Sequence, residues 1–163
     1  MPQSAIIHTN LGDISLEFLP DKAPNHVQAF IQRAQDGFYD GTLFHRVIPG
    51  FMVQGGDPNS RLEDRSMHGT GGPAERLKAE FNDTKHTRGV LSAARTSDPD
   101  SAGSQFFLMV ADSPHLDGQY TAYGRVTSGM DVVDKIVALP KDHRDNPLPA
   151  NPARIESIEI VES

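Results

Sequence analysis

Between residues 39 and 123 the chain advances in short apolar runs, each stopped by glycine, proline, serine or aspartate, and that rhythm suggests a sandwich or barrel of short strands. The runs predict strands over 43–47, 51–56, 90–94, 105–110 and 121–126. Upstream, Ile14, Leu16 and Phe18 alternate with Ser15 and Glu17, the period of a strand with one buried face, and Asn10-Leu11-Gly12-Asp13 before it reads as a hairpin turn. Pro24 opens a segment whose apolar residues Val27, Phe30, Ile31 and Ala34 fall at helical spacing, and Gly37 closes it. A second helix is predicted with Ser128 as its cap, Met130, Val133, Ile136 and Val137 as its inner stripe, and Pro140 just beyond its end. A polar, proline-rich segment over 141–152, read as a solvated connector, leads to a last strand over 154–161. Open sheet edges invite aggregation and closure removes them, so the expectation is a closed or nearly closed barrel with two helices packed over its ends.

A length of 163 residues fits one domain over 1–163, large enough to bury about two thirds of its unfolded surface without staples. No repeat, low-complexity tract or linker interrupts it. With no cysteine, disulfides, thiolate nucleophiles and Cys-ligated metals are excluded. The seven histidines show no spacing that suggests zinc, so no metal or cofactor is expected. A formal charge of −7 repels a phosphate backbone, which argues against nucleic acid as a partner. The start of the chain lacks a basic, apolar leader, and no run is long enough to span a bilayer, so a soluble cytoplasmic protein is expected. Gly69-Thr70-Gly71-Gly72-Pro73 lacks the lysine of a phosphate-cradling loop, and Ser92, Ser97 and Ser104 lack a nucleophile-elbow context.

The residues that carry chemistry lie elsewhere. Phe44-His45-Arg46-Val47-Ile48-Pro49-Gly50-Phe51-Met52-Val53-Gln54-Gly55-Gly56-Asp57 sets one arginine and one glutamine among large apolar residues. Arginine keeps its charge and presents five donors in a planar fork, so placing it beside an apolar pocket is costly unless something needs those donors. In Gly103-Ser104-Gln105-Phe106-Phe107-Leu108-Met109-Val110, strand alternation sends Gln105, Phe107 and Met109 to one face and Phe106, Leu108 and Val110 to the other. A glutamine facing the same way as a phenylalanine suggests either a lined groove or a barrel rim. His115-Leu116-Asp117-Gly118-Gln119-Tyr120 is a turn mixing apolar and amphipathic side chains.

Together these ordered segments resemble the cyclophilins, the peptidyl-prolyl cis–trans isomerases, over about residues 6–161. The resemblance implies an eight-stranded antiparallel barrel capped by two helices, binding proline-containing peptides and folding proteins. By the same resemblance Arg46 is the catalytic arginine and Gln54 binds the substrate backbone. Phe51, Met52, Phe107 and Leu116 wall the proline pocket. Ala94, Arg95 and Gln105 line the peptide groove, and Gly69 and Thr96 lie near the neighbouring pocket. His115 stands where many eukaryotic members have tryptophan, which implies weakened affinity for cyclosporin-type ligands. Tyr120 and Arg95 stand where those members have histidine and asparagine, and with the segment over 93–99 they resemble bacterial single-domain cyclophilins. A monomer is the simpler expectation.

Elementary chemistry supports such an assignment. Rotating an X–Pro bond sacrifices amide resonance, at a cost of roughly 18–20 kcal/mol, and leaves a basic lone pair on a pyramidal nitrogen. A donor aimed at that nitrogen binds the twisted state better than either planar state, with no covalent step, metal or general base. Two rival readings are a module that grips proline segments without needing turnover, and a structural barrel with no ligand. An arginine kept beside the pocket argues against the first, and a polar–aromatic groove is left unexplained by the second.

Overall fold

The computed structural model describes residues 4–161; residues 1–3, part of the segment on which the leader expectation rests, and residues 162–163 lie outside the described residues. Eight antiparallel strands form one sheet: β1 (Ser4–Thr9), β2 (Gly12–Phe18), β3 (Arg46–Ile48), β4 (Met52–Gly55), β5 (Val90–Ala93), β6 (Phe106–Met109), β7 (Ala122–Ser128) and β8 (Ile155–Val161). Two α-helices, α1 (Pro24–Gln35) and α2 (Met130–Val137), accompany them. The strand order is β3-β4-β6-β5-β7-β2-β1-β8. The hairpin turn joins β1 to β2 with Thr9 opposite Gly12, and the first strand, which has no run of its own in the expectations above, pairs on its other edge with β8.

The sheet curls into a half-barrel that remains open, so the closed barrel expected from the sequence is corrected. No ladder joins β3 to β8. The chain approaching β3 meets the approach to β8 through a single Leu43–Arg154 bridge, with the Gly41 and Phe44 amides donating to the Ile155 and Ala153 carbonyls and Ile155 donating to Thr42. Three residues of β3 are then all that remain, and the free amide of Val47 donates to Asp145 at 2.7 Å. Asp145 belongs to the 141–152 segment, which is therefore no mere connector: it buries Asn146 and Pro147 and covers the sheet edge that a closing strand would have used.

The curl encloses the main core. Ile7, Ile14, Leu16, Val53, Phe106, Leu108 and Ile155 converge from the strands, each essentially without exposure. α1 lies against β7 and β8 and drives Phe30 among Phe18, Tyr39, Phe106 and Tyr123, with ring centroids 5.1–6.0 Å apart. α2 lies against β2, β3 and β4 and buries Val132, Val133 and Ile136. Its start departs from expectation. Ser128 ends β7 and makes no cap; the cap position is Gly129, with φ +98° in the left-handed region, and a Cβ there would sit 2.4 Å from the Asp13 carbonyl. A serine hydroxyl is therefore replaced by a glycine hinge that lets β7 turn directly into the helix.

Gly129→Ala is expected to destabilise the fold by about 2 kcal/mol or more, because left-handed strain adds to the backbone clash. Ser128→Ala is expected to change stability by less than about 0.5 kcal/mol, as at other exposed positions. Urea unfolding of the two variants checks the pair, and equal losses would contradict this account of the helix start.

Candidate functional site

The site is an outcome of register. Arg46 on β3 stands opposite Gln54 on β4, and Gln54 stands opposite Phe107 on β6. Three side chains from three strands thus form one row on the face turned away from the main core. Two residues along, Ile48, Met52 and Met109 form a second row on the same face. The expected alternation holds: Phe106, Leu108 and Val110 join the main core, while Phe107 and Met109 join a separate apolar cluster with Met52, Val90, Leu116 and Ala122.

This second cluster opens into a cleft of about 510 Å³ lined by Arg46, Phe51, Met52, Gln54, Ala94, Arg95, Phe107, His115, Leu116, Gln119 and Tyr120. The Pro114–Leu116 turn delivers Leu116, which is 6% exposed, as one wall. Tyr120 stands edge-on to Phe107 with centroids 5.7 Å apart, and the Arg95 guanidinium caps the Tyr120 ring at 4.4 Å. His115 lies tilted over Phe51 at 6.2 Å. The Arg46 side chain reaches solvent, and among the described residues no side-chain hydrogen bond or ion pair occupies its guanidinium.

A second cleft of about 330 Å³ adjoins the first and shares Gln54, Ala94 and Arg95 with it; Gly69, Thr70, Gly71, Thr96, Gln105 and Arg76 are among its other walls. All thirteen site residues expected from the sequence therefore line two connected clefts, with Gly69 and Gln105 in the smaller one. Thr96 lies there too.

A relay of amides fixes the boundary between the clefts. Gln54 Nε2 donates to Gln105 Oε1 at 2.9 Å, and Gln105 Nε2 donates to the Gly69 and Gly71 carbonyls, both at 3.0 Å. The Gly69–Gly71 loop is held in turn by Asp57, whose carboxylate accepts the amides of Asn59, Gly69 and Gly71 with no exposure of the residue. Three main-chain donors replace the water such a carboxylate gives up. Sequence reasoning assigned no role to Asp57 or Arg76. The available signal for Asp57 was its place before Pro58, the pattern of a capping acid followed by proline in a first helical turn, here the Pro58–Arg61 3₁₀ turn.

Behind Phe107 lies a line of Asp117, His86 and Ser92. His86 stacks on Phe107 at 6.3 Å, its Nδ1 is 3.2 Å from Asp117 and its Nε2 is 2.9 Å from Ser92 Oγ. The residue types match a nucleophilic triad, yet Ser92 has no exposure and its hydroxyl donates to the Thr121 carbonyl at 3.0 Å. The arrangement braces the pocket floor and offers no nucleophile to solvent. Burial lowers the His86 pKa against the pull of Asp117, which favours the neutral ring. His45 sits under Gly69, 5% exposed, and burial pushes its pKa down to about 4. Among the described residues no three histidine, aspartate or glutamate side chains gather where they could hold a metal ion.

Comparison with known proteins agrees with this geometry. The sequence profile of the cyclophilin type peptidyl-prolyl cis-trans isomerase family matches residues 4–160. A probable peptidyl-prolyl cis-trans isomerase of Brucella abortus is 46% identical over 138 residues, spanning 82% of this chain and 70% of that protein. A peptidyl-prolyl cis-trans isomerase of Helicobacter pylori is 48% identical over 136 residues, spanning 81% of this chain and 78% of the other. The crystal structure of a Cryptosporidium parvum cyclophilin type isomerase superposes with a TM-score of 0.90 at 29% identity, covering 100% of this chain and 99% of that one. A second crystal structure of that protein, obtained in the presence of the dipeptide Ala-Pro, gives a TM-score of 0.89. The half-barrel with an apolar cleft and an arginine at its rim is thus the peptide-binding fold of a cyclophilin. The chain belongs to the cyclophilin-type peptidyl-prolyl cis–trans isomerases.

The buried histidines set an acid limit. Between about pH 6.5 and 4 the unfolded chain takes up a proton at His45 that the folded protein refuses, so stability falls as pH drops through that window. His45 alone contributes up to about 3 kcal/mol to this loss, and His26 and His86, also lowered by burial, act in the same direction. Urea unfolding at pH 7.5 and pH 4.5 is expected to show a smaller loss for His45→Gln than for the wild type; an equal loss would contradict the assignment to His45.

Proposed function

We propose that Arg46 and Gln54 perform the isomerisation by gripping a proline-containing peptide in the larger cleft and stabilising its twisted amide. The observation that carries this reading is the cross-strand row of Arg46, Gln54 and Phe107, which sets a permanent cation and an amide beside an apolar pocket at fixed spacing. The prolyl ring packs among Phe51, Met52, Phe107 and Leu116, with Tyr120 closing the side. Its burial there holds one side of the X–Pro bond still. Arg46 then donates to the prolyl nitrogen as its lone pair appears, an interaction absent from either planar state.

Gln54 holds the substrate main chain. One Nε2 hydrogen is committed to Gln105, which orients the amide so that Oε1 is left to accept a peptide N–H. Because Gln105 and the Asp57-anchored loop fix that amide, little ordering cost is left for the moment of binding. No covalent intermediate is needed, consistent with the Ser92 hydroxyl behind Phe107 being turned inward to the Thr121 carbonyl. The solved relative prepared with Ala-Pro supports the substrate class, and assistance to folding chains follows from the reaction itself.

Arg46→Ala is expected to lower kcat/KM for cis-to-trans conversion of an Ala-Pro-Phe peptide by about 10²–10³, the worth of one transition-state donor. Exchange-resolved NMR on a variant shown to fold checks this; undiminished turnover would overturn the role of Arg46. Peptide binding without turnover by the wild type would instead favour the binding-module reading. The exposed His115 offers a ring smaller than indole beside Phe51. Cyclosporin titration is therefore expected to give weak affinity that tightens in His115→Trp, and tight binding by the wild type would refute that.

A further inference from the structure

We propose that this isomerase selects proline segments carrying an aspartate or glutamate within two residues of the proline, with the carboxylate seated in the smaller cleft between Arg76 and Arg95. The inference rests on the isomerase reading above and adds the substrate class.

The observation is a local reversal of charge. The whole chain carries −7, yet the two connected clefts have Arg46, Arg76 and Arg95 among their walls and no aspartate or glutamate. Cations of one sign in a concave site focus the field there, which concentrates and orients an anionic ligand. A peptide whose proline fills the larger cleft runs past the shared wall of Gln54, Ala94 and Arg95 into the smaller one. At about 3.3–3.6 Å per residue, one or two residues make that step.

The two arginines differ in a useful way. Arg95 is fixed: Nε and Nη2 donate to the Gln119 carbonyl, Nη1 donates to Thr96, and its plane lies on Tyr120. Its charge therefore stands permanently in the dividing wall with no carboxylate neutralising it. Arg76 is exposed and makes one long bond, Nη1 to the Ser101 carbonyl at 3.3 Å, so most of its fork is available to a carboxylate. The acids on neighbouring segments are turned to local tasks. Asp98 accepts the Asp100 amide, Asp100 accepts the Ala79 amide, and neither lines the cleft. Glu75, also outside the lining, is exposed.

The test uses blocked Ala-Ala-Pro-Phe-Ala peptides, with Glu, Ala or Lys placed in turn at the two positions on either side of proline, read by NMR exchange at low salt. At one position at least, Glu is expected to be turned over about 3–10-fold faster than Lys, with the gap narrowing in 0.5 M salt as screening predicts. Arg76→Glu is expected to reverse that order, and Arg76→Ala to bring the Glu-to-Lys ratio towards one; circular dichroism verifies that both variants fold. Turnover of the parent Ala-Ala-Pro-Phe-Ala peptide with Glu and Lys rates equal within twofold at every position overturns the charge selectivity and leaves the isomerase reading standing. Failure to turn over even the parent peptide overturns both.

Discussion

In the three-stranded stretch formed by β3, β4 and β6, every side chain has only two directions available, and the division between them creates both the core and the groove. Phe106 and Leu108 go inward with Val53, while Phe107 and Met109 go outward with Met52 and Gln54. A slip of one residue would reverse the whole set. It would also carry the Gln54 amide into an apolar interior, where an unpaired polar group costs about 1–3 kcal/mol. The strand is ended just past the glutamine by Gly56, whose φ of +90° and approach to the Ser104 carbonyl, 2.4 Å from where a Cβ would stand, leave no room for another residue type. Register, groove and strand end are thus consequences of one pairing.

The groove joins two materials with different tolerances. The larger cleft is lined by an apolar cluster braced from behind by His86 and built from close contacts, so its shape is set by packing. The neighbouring cleft is made largely of main-chain amides and carbonyls, and its shape is set by hydrogen bonds that converge on the Asp57 carboxylate. An acid with no solvent exposure, surrounded by backbone donors, is a local device for giving a glycine-rich loop one conformation. Gln105 then passes that order to Gln54.

The fold was legible where side-chain period alone decides the outcome. The stripe of Val27, Phe30, Ile31 and Ala34 marks α1, and the alternation through Gln105 and Met109 separates the two faces of β6. It was not legible where a distant backbone decides. Ser128 has the chemistry of a helix cap, but its place at the end of β7 put Gly129 in the capping position. The 141–152 segment has the composition of a connector, yet the Val47 amide, which no strand pairs, gives it an edge to cover and donates to its Asp145 carbonyl. That same edge is why the barrel stays open. Polar residues set within apolar runs, and the family resemblance those runs carry, brought Arg46, Gln54 and Phe107 into view, whereas Arg76 offered no pattern because its relation to Arg95 exists only across the cleft.

The pairing of β1 with β8 has a consequence for the way this chain is made. β1 is made well over a hundred residues before β8, so it has one partner at hand, β2, while its other edge is reserved for residues 155–161. At bacterial or eukaryotic synthesis speeds of about 5–20 residues per second, that edge waits on the order of ten seconds. During this interval Ala5, Ile7, Ile14 and Leu16 have a sheet but no enclosure. A protein of this kind is thus itself a nascent chain with an exposed edge from the making of β1 to the making of β8, and its sheet is sealed only when residues 155–161 arrive.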